Sequence, residues 1–548
     1  MRWCFLRKKD VRFSIQKIVI ILSFPPFTYL FKKAYDLSIA IAVLLLKRVE
    51  GVLTIYLRRG VAKNEIVYGL SDIDLSVILD DRNGEEQVVK LAKRKVTSTY
   101  KKLSCFIPLF GRAEDELGVY STSEFFRLYT DNNSFKYRFN EGRHTWKLLF
   151  GKDLVRNLPD LQGKELYLPA TEELKVWWPL VNIEFAPDFA YPQFKRKDLW
   201  YKAISEVSKV YLLICHGENI QSRGTALREI QKYLPYEERC YIDKIQSYQK
   251  HLTSKEDLIL DKLMKLFIEL TSKAFNEMER TVYGDSERKT AIISLSYQDL
   301  IVGGKVLDLI EKLRMYIKGE LEPYLDHVAL IPQVEFSPDA LYNSDIDSYH
   351  IVLVARDFVP VEKLKRVNLF LEQNSSPQSI EPFVIYRNIA LSLKAKSWYR
   401  CIRSLKQCPL FYSLVSCHGP NFFEERDKTQ EKSIQSCLPP SLEETIEKRK
   451  CKIMEIMSSK DIYKLEALSF LRFFWGAART KLLSYSMGSD EIHIPVTSQQ
   501  IYKMLTKLFP GDLNWLSDLY TEYEKELQGQ ESEAYHFFTK STAFLMSI

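Results

Sequence analysis

The sequence predicts α/β domains joined to all-α domains, arranged as two tandem units, each a small mixed sheet with helices followed by a helical domain. Three observations predict it. The tetrapeptide Ser-Asp-Ile-Asp stands at Ser71–Asp74 and again at Ser344–Asp347, 273 residues later. Residues 232–252 align with 507–527 at an offset of 275, with identities at Lys232/Lys507, Pro235/Pro510, Asp243/Asp518, Tyr248/Tyr523, Lys250/Lys525 and Leu252/Leu527. A period held by two distant segments marks a duplicated unit. Third, short apolar runs precede long amphipathic ones such as LILDKLMKLFIELTSKAFNEM at 258–278, whose spacing places one apolar stripe along a helix.

In order along the chain, residues 1–31 form an N-terminal extension. Its apolar run IVIILSFPPFTYLF at 18–31 contains Pro25-Pro26 and is shorter than the ~20 residues a spanning helix needs, so no transmembrane segment is expected. No small-residue cleavage site follows, which argues against a signal peptide. Peripheral contact of this extension with a membrane is compatible with its composition. Residues 32–170 read as the first α/β domain: helix at 32–49, strands at 52–58 and 73–79, a basic helix at 85–104, a strand at 115–121 and helix to about 150. Residues 171–280 read as a helical domain and 281–297 as a linker. Residues 298–417 repeat the α/β order, with a helix at 304–320 and strands at 327–332, 349–355 and 382–387. Residues 418–442 are polar and broken by prolines, a linker or loop, and 443–548 form the second helical domain.

Length and composition fit this division. A chain of 548 residues is too long for one ordinary core. Hydrophobic and charged fractions of 46% and 27% exclude wholesale disorder. The net charge of +7 suits an anionic ligand but is too small for a dedicated nucleic-acid binder. Nine scattered cysteines without a C-x-x-C pair read as reduced thiols of a cytoplasmic protein. The group Cys401, Cys408, Cys417 and His418 has spacings unsuited to a zinc knuckle. No P-loop, dinucleotide, zinc-protease or nucleophile-elbow motif is present.

The chemistry concentrates at the first Ser-Asp-Ile-Asp. On a strand, Asp72 and Asp74 project from the same face while Ile73 and Leu75 point to the other. Two carboxylates on one face repel unless a cation lies between them, and Mg²⁺ is the natural occupant, completing its shell with water and phosphate oxygens.

The run IYLRRGVAKNEIVYGLSDIDLSVIL at 55–79 resembles the signature of the DNA polymerase β-like nucleotidyltransferase superfamily, in particular its bacterial aminoglycoside and small-substrate enzymes. Tyr56, Leu57, Arg58, Ala62, Glu65, Gly69, Leu70, Ser71, Asp72, Ile73, Asp74 and Leu75 carry the resemblance. It implies that Asp72 and Asp74 hold one or two Mg²⁺ ions, and that Arg58, Arg59, Gly60 and Ser71 contact the triphosphate. Asp115 or Glu116 would supply a third carboxylate, as acceptor base or metal ligand. The implied reaction moves a nucleoside monophosphate from an NTP, ATP being expected, to a hydroxyl or amine of a small-molecule acceptor seated against the helical half. Two departures stand out. Arg59-Gly60 replaces the family's Gly-Ser turn, and Asn64 replaces a later glycine. The second unit keeps Asp345 and Asp347 but has Pro332-Gln333 at the turn, which reads as a degenerate copy. The alternatives are a non-catalytic nucleotide-binding or scaffold protein, and an RNA terminal nucleotidyltransferase. The basic helix with Lys90, Lys93, Arg94, Lys95, Lys101 and Lys102 reads as a solvated face, His144 and Trp177-Trp178 as packing or surface residues.

Overall fold

The computed structural model describes residues 13–82, 86–111, 117–131, 133–174, 176–184, 191–254 and 257–283. Beyond these it describes 294–295, 304–332, 349–374, 380–386, 414–418, 498–509, 514–527 and a few single positions. Among the described residues the chain is mixed α/β, with two small mixed sheets and many helices. Packing divides it into two compact units, Met1–Trp177 with Ala190–Gly284, and Trp178–Phe189 with Asp285–Ile548.

The first unit opens with helices α1 (residues 13–21) and α2 (Phe27–Leu46), followed by strand β1 (Val52–Arg58) and a single helical turn, α3 (Arg59–Ala62). Then come β2 (Asp74–Leu79), α4 (Glu86–Phe106), β3 (Leu117–Ser121), α5 (Thr122–Asp131), α6 (Asn133–Thr145) and β4 (Lys147–Gly151). The strand order is β3-β2-β1-β4, with β1 antiparallel to both neighbours and β2 parallel to β3. Every residue of β2 is buried, because both faces of the sheet are covered. Leu75, Val77 and Leu79 pack in one layer with Tyr35, Leu46, Val96 and Tyr100, while Ile78 joins Tyr56, Phe125 and Phe139 in the other. Helix α4 turns Ala92, Val96, Tyr100 and Leu103 inward and leaves Arg94, Lys95, Lys101 and Lys102 exposed on the solvated face its pattern indicates, whereas Lys93 is half-buried and pairs with Glu124 at 2.5 Å.

The expectation of helix to about residue 150 is corrected by β4. Leu148, Leu149 and Phe150 lack the alternation of a half-buried strand, so pattern alone does not reveal it. Pairing decides: Leu148 lies opposite Tyr56, and Gly151 adopts φ +83°, where an added Cβ would meet the Leu53 carbonyl.

The helical part comprises α7 (Tyr167–Leu174), α9 (Gln193–His216), α10 (Arg223–Ile230), α11 (Tyr236–Lys250) and α12 (Leu260–Tyr283), with α8 (Pro179–Ile183) between α7 and α9 in the chain. Helix α9 is its centre, buried on nearly every side through Trp200, Ile204, Val207, Tyr211 and Ile214. Segment Trp178–Phe189, which helical periodicity assigns to this part, groups with the second unit instead. There the Trp178 indole N–H donates to the Val384 carbonyl at 3.0 Å, and Asn182 Oδ1 accepts from the Val384 N–H at 2.8 Å.

The second unit contains β5 (Ser294–Leu295), α13 (Gly304–Glu320), β6 (Leu325–Pro332), β7 (Tyr349–Ala355), α14 (Val361–Asn374), β8 (Ile380–Tyr386) and β9 (Leu414–His418), then α15 (Ser498–Leu508) and α16 (Asn514–Leu527). Its sheet runs β5-β9-β6-β7-β8, with β6 antiparallel to β7 and β9, and β7 parallel to β8. Strands β8-β7-β6-β9 thus have the order and senses of β3-β2-β1-β4. Asp345 and Asp347, like the linkers expected at 281–297 and 418–442, fall wholly or mostly outside the described residues.

Candidate active site

The first Ser-Asp-Ile-Asp lies where β2 begins, beside the end of β1. Asp74 is the first strand residue, and Asp72 and Ile73 precede it, so the two carboxylates flank the strand's start and do not both lie within it. The backbone of Ile73 is fixed from both sides: its N–H donates to Leu109 O at 2.9 Å, and its carbonyl accepts from the Tyr100 hydroxyl at 3.1 Å. Upstream, the Ser71 carbonyl accepts from the Tyr35 hydroxyl at 2.5 Å. Burial, reinforced by the negative charge of Asp72, pushes the Tyr35 phenol well above its usual range, so it stays a donor. Ser71 Oγ accepts from the Val67 N–H at 2.8 Å and closes the turn before the aspartates. The Ser71 hydroxyl is therefore engaged locally; its proton remains able to point to a ligand.

Asp74 is buried, and its Cα pairs across the ladder with that of Arg58. Arg58 is also buried, its guanidinium 5.7 Å from the centre of the Trp146 ring. Burial lowers the Arg58 pKa while the negative charge of Asp74 opposes the shift. The next residue, Arg59, places Nη1 2.8 Å from Asp74 Oδ1, with its own side chain about half exposed (47%). Arg59 has φ +54°, the left-handed region that favours glycine. The turn thus keeps a backbone suited to glycine while the residue there is arginine. Gly60 is the residue after the strained one; its carbonyl accepts from the Glu65 N–H at 2.8 Å, closing the short loop.

A ring of buried and half-buried charges anchors this loop to the helical part. Lys63 contacts Glu141 at 2.7 Å, Glu141 contacts Lys209 at 2.5 Å, and Lys209 contacts Glu206 at 2.8 Å. Glu206 contacts Arg223 at 2.8 Å, and the Arg223 backbone N–H donates to Glu65 Oε1 at 2.9 Å. The circuit returns to the loop two residues from its start. Burial disfavours ionising Glu141 and Glu206, yet the cations around them, Lys209 foremost, hold both below the usual carboxylate range. Lys209 is held well above its usual value against burial by Glu141 and Glu206. Among these residues the sequence singled out only Glu65. The rest come from α6, α9, α10 and the loop itself, and no local pattern connects them.

Asp115 and Glu116 lie outside the described residues, two and one positions before β3. Among the described residues no group of three or more His, Cys, Asp or Glu side chains gathers in a metal-binding arrangement. His144 lies at the surface, 3.6 Å from Asp160 Oδ1. Asp72 and Asp74 offer the hard oxygen donors that Mg²⁺ takes, and Asp74 is a buried carboxylate that requires a cation nearby. The residues present thus suit the metal in donor type, with the Arg59 guanidinium already on Asp74. Comparison of the sequence with models of known protein families gives no match, and comparison with curated proteins gives none either.

Proposed function

We propose that residues 32–170 form a nucleotidyltransferase domain acting in the cytoplasm, which transfers a nucleoside monophosphate from an NTP, ATP being expected, to a hydroxyl or amine of a small-molecule acceptor. The observation that carries this reading is the meeting of Asp74 with Arg58 and Arg59 at the mouth of β1 and β2. Carboxylates for a metal and guanidinium groups for phosphate there share one end of the two central strands, in the run that resembles the superfamily signature. Asp72 and Asp74 would hold Mg²⁺, which when bound neutralises charge on the departing pyrophosphate. Arg58, stiffened by Trp146 and burial, orients the site, and Arg59 exchanges Asp74 for a phosphate oxygen. Ser71, Tyr35 and Tyr100 fix the backbone that aims the aspartates.

The same strand order and senses in the two sheets support a tandem duplication. Offsets of 273 from Val52 to Leu325 and 275 from Asp74 to Tyr349 agree with those of the sequence repeats. On this reading the second unit is the degenerate copy. One observation favours a second reading, a non-catalytic nucleotide-binding protein: Arg59 engages the carboxylate that a metal would bridge.

Pyrophosphate release from labelled NTPs with Mg²⁺ and a panel of acceptors separates the two. The enzyme reading expects turnover that Asp72→Asn and Asp74→Asn each lower by at least a hundredfold. Nucleotide binding without turnover in the unaltered protein would establish the second reading, and absence of both would overturn the site.

A further inference from the structure

We propose that residues 13–48 dock the protein on an anionic lipid surface, lying in the bilayer interface without crossing it. Helices α1 and α2 each have one face turned inward. Gln16 O and Val19 of α1 stand 3.0 and 3.2 Å from where a Cβ on Gly69 would be, and α2 buries Tyr35, Ser38, Ala42 and Leu46. Their outward faces carry rows of apolar side chains beside the exposed Lys17, Lys32, Lys33 and Asp36. Ile15, Ile18 and Ile21 recur every three residues along α1, and each is more than half exposed. Leu30, Leu37 and Leu44 recur every seven residues on α2, two helical turns apart, with exposures of 57%, 62% and 45%. Phe24 and Tyr29, at the junction of the helices, are exposed as well. Soluble surfaces scatter such residues singly, and rows of them mark an interaction site.

Charge identifies the partner. Residues 1–48 hold ten basic side chains (Arg2, Arg7, Lys8, Lys9, Arg12, Lys17, Lys32, Lys33, Lys47 and Arg48) and two acidic ones, Asp10 and Asp36, a net +8. The whole chain carries +7, so the other 500 residues sum to −1. Half of that +8 lies in residues 13–48, which expose the apolar rows (Lys17, Lys32, Lys33, Lys47 and Arg48 against Asp36), and half in residues 1–12 immediately before them in the sequence. A second copy of the chain would bring the same charge against it, whereas anionic headgroups complement it. Apolar side chains and a basic cluster together are the two signals that stable interfacial binding needs. No described helix is long and apolar enough to cross a membrane.

Flotation of the full chain with vesicles tests this, comparing phosphatidylcholine alone with a mixture containing phosphatidylglycerol. Binding to the anionic vesicles, weakened by salt and slight on neutral ones, is expected. Lys32→Gln with Lys33→Gln should weaken it roughly 25-fold, about fivefold per lysine. Ile15→Glu with Ile18→Glu should abolish it without changing the thermal midpoint, because both side chains are exposed. Lys262→Gln with Lys265→Gln, exposed on α12, should leave it unchanged. The proposal falls if the protein ignores anionic vesicles at low salt, or if the α12 variant loses as much binding as the α2 variant. It also falls if the isoleucine changes convert a lipid-free dimer into monomer, which would assign the face to a second copy.

Discussion

Arg59 concentrates the functional question in one residue. A non-glycine residue at φ +54° costs about 1–2 kcal/mol, and here it persists beside a buried carboxylate that it neutralises. Replacing it with glycine relieves the strain but removes a partner from Asp74. Loss of one member of a fully buried pair costs about 3–5 kcal/mol, and the half-exposed guanidinium reduces that to about 2–3 kcal/mol. The lost pair therefore outweighs the relief, and Arg59→Gly should be less stable by about 1 kcal/mol in metal-free buffer. Added Mg²⁺ should raise the melting temperature of the variant more than that of the unaltered protein, because the cation takes the vacated side of Asp74. Equal shifts in the two proteins would show that Arg59 does not compete with metal. Sequence placed Arg59 at the turn, but its backbone conformation and its reach to Asp74 depend on how β1 ends against β2.

At the scale of elements, the loop between β1 and β2 is held by the charge ring and the sheet edge by β4. Lys209 is almost wholly buried, so its charge has no solvent to return to when its partners are lost or altered. Lys209→Met should cost about 3–5 kcal/mol by leaving Glu141 and Glu206 facing each other, as measured by urea unfolding. The ring also sets an acid limit. Unfolded glutamates titrate near pH 4.3, and both Glu141 and Glu206 have lower folded values. Their contribution is complete above that pH and is lost as the pH falls through the folded values, so the melting temperature should drop steeply below about pH 4. Glu206→Gln should flatten that drop. Glu173, raised by burial against the pull of Arg138, works in the opposite sense, its contribution fading as pH rises. For the sheet edge, Gly151→Ala drives a Cβ into the Leu53 backbone and should cost at least about 3 kcal/mol by the same unfolding measurement. Strands β1 and β2 were readable because branched apolar runs are flanked by turn residues. Strand β4 was not, since an edge strand without alternation is defined by its neighbour.

At the scale of the whole molecule, the order of elements was legible and the grouping of some segments was not. The strands expected at 52–58 and 349–355 and the helix expected at 304–320 fall where the structure has β1, β7 and α13. Residues 178–183, in contrast, follow one helical part along the chain but pack on β8. Trp178→Phe removes an indole N–H and leaves the buried Val384 carbonyl without that donor. It should destabilise the second unit by about 2–3 kcal/mol while the unfolding of the first unit is unchanged, as followed by hydrogen exchange. Equal loss in both units would show that they unfold as one.

What the sequence determined by itself was local or repeated: strands and helices set by hydrophobic period, the Asp72 and Asp74 pair, the glycine-poor turn, and the concentration of positive charge in residues 1–48. Tertiary structure decided which distant groups meet. It brought Arg59 onto Asp74, joined Lys63 to Glu65 through Glu141, Lys209, Glu206 and Arg223, and attached Trp178 to β8. The physical reason is that periodicity records which face of an element is apolar, whereas a buried charge is stable only where the folded chain supplies its partner.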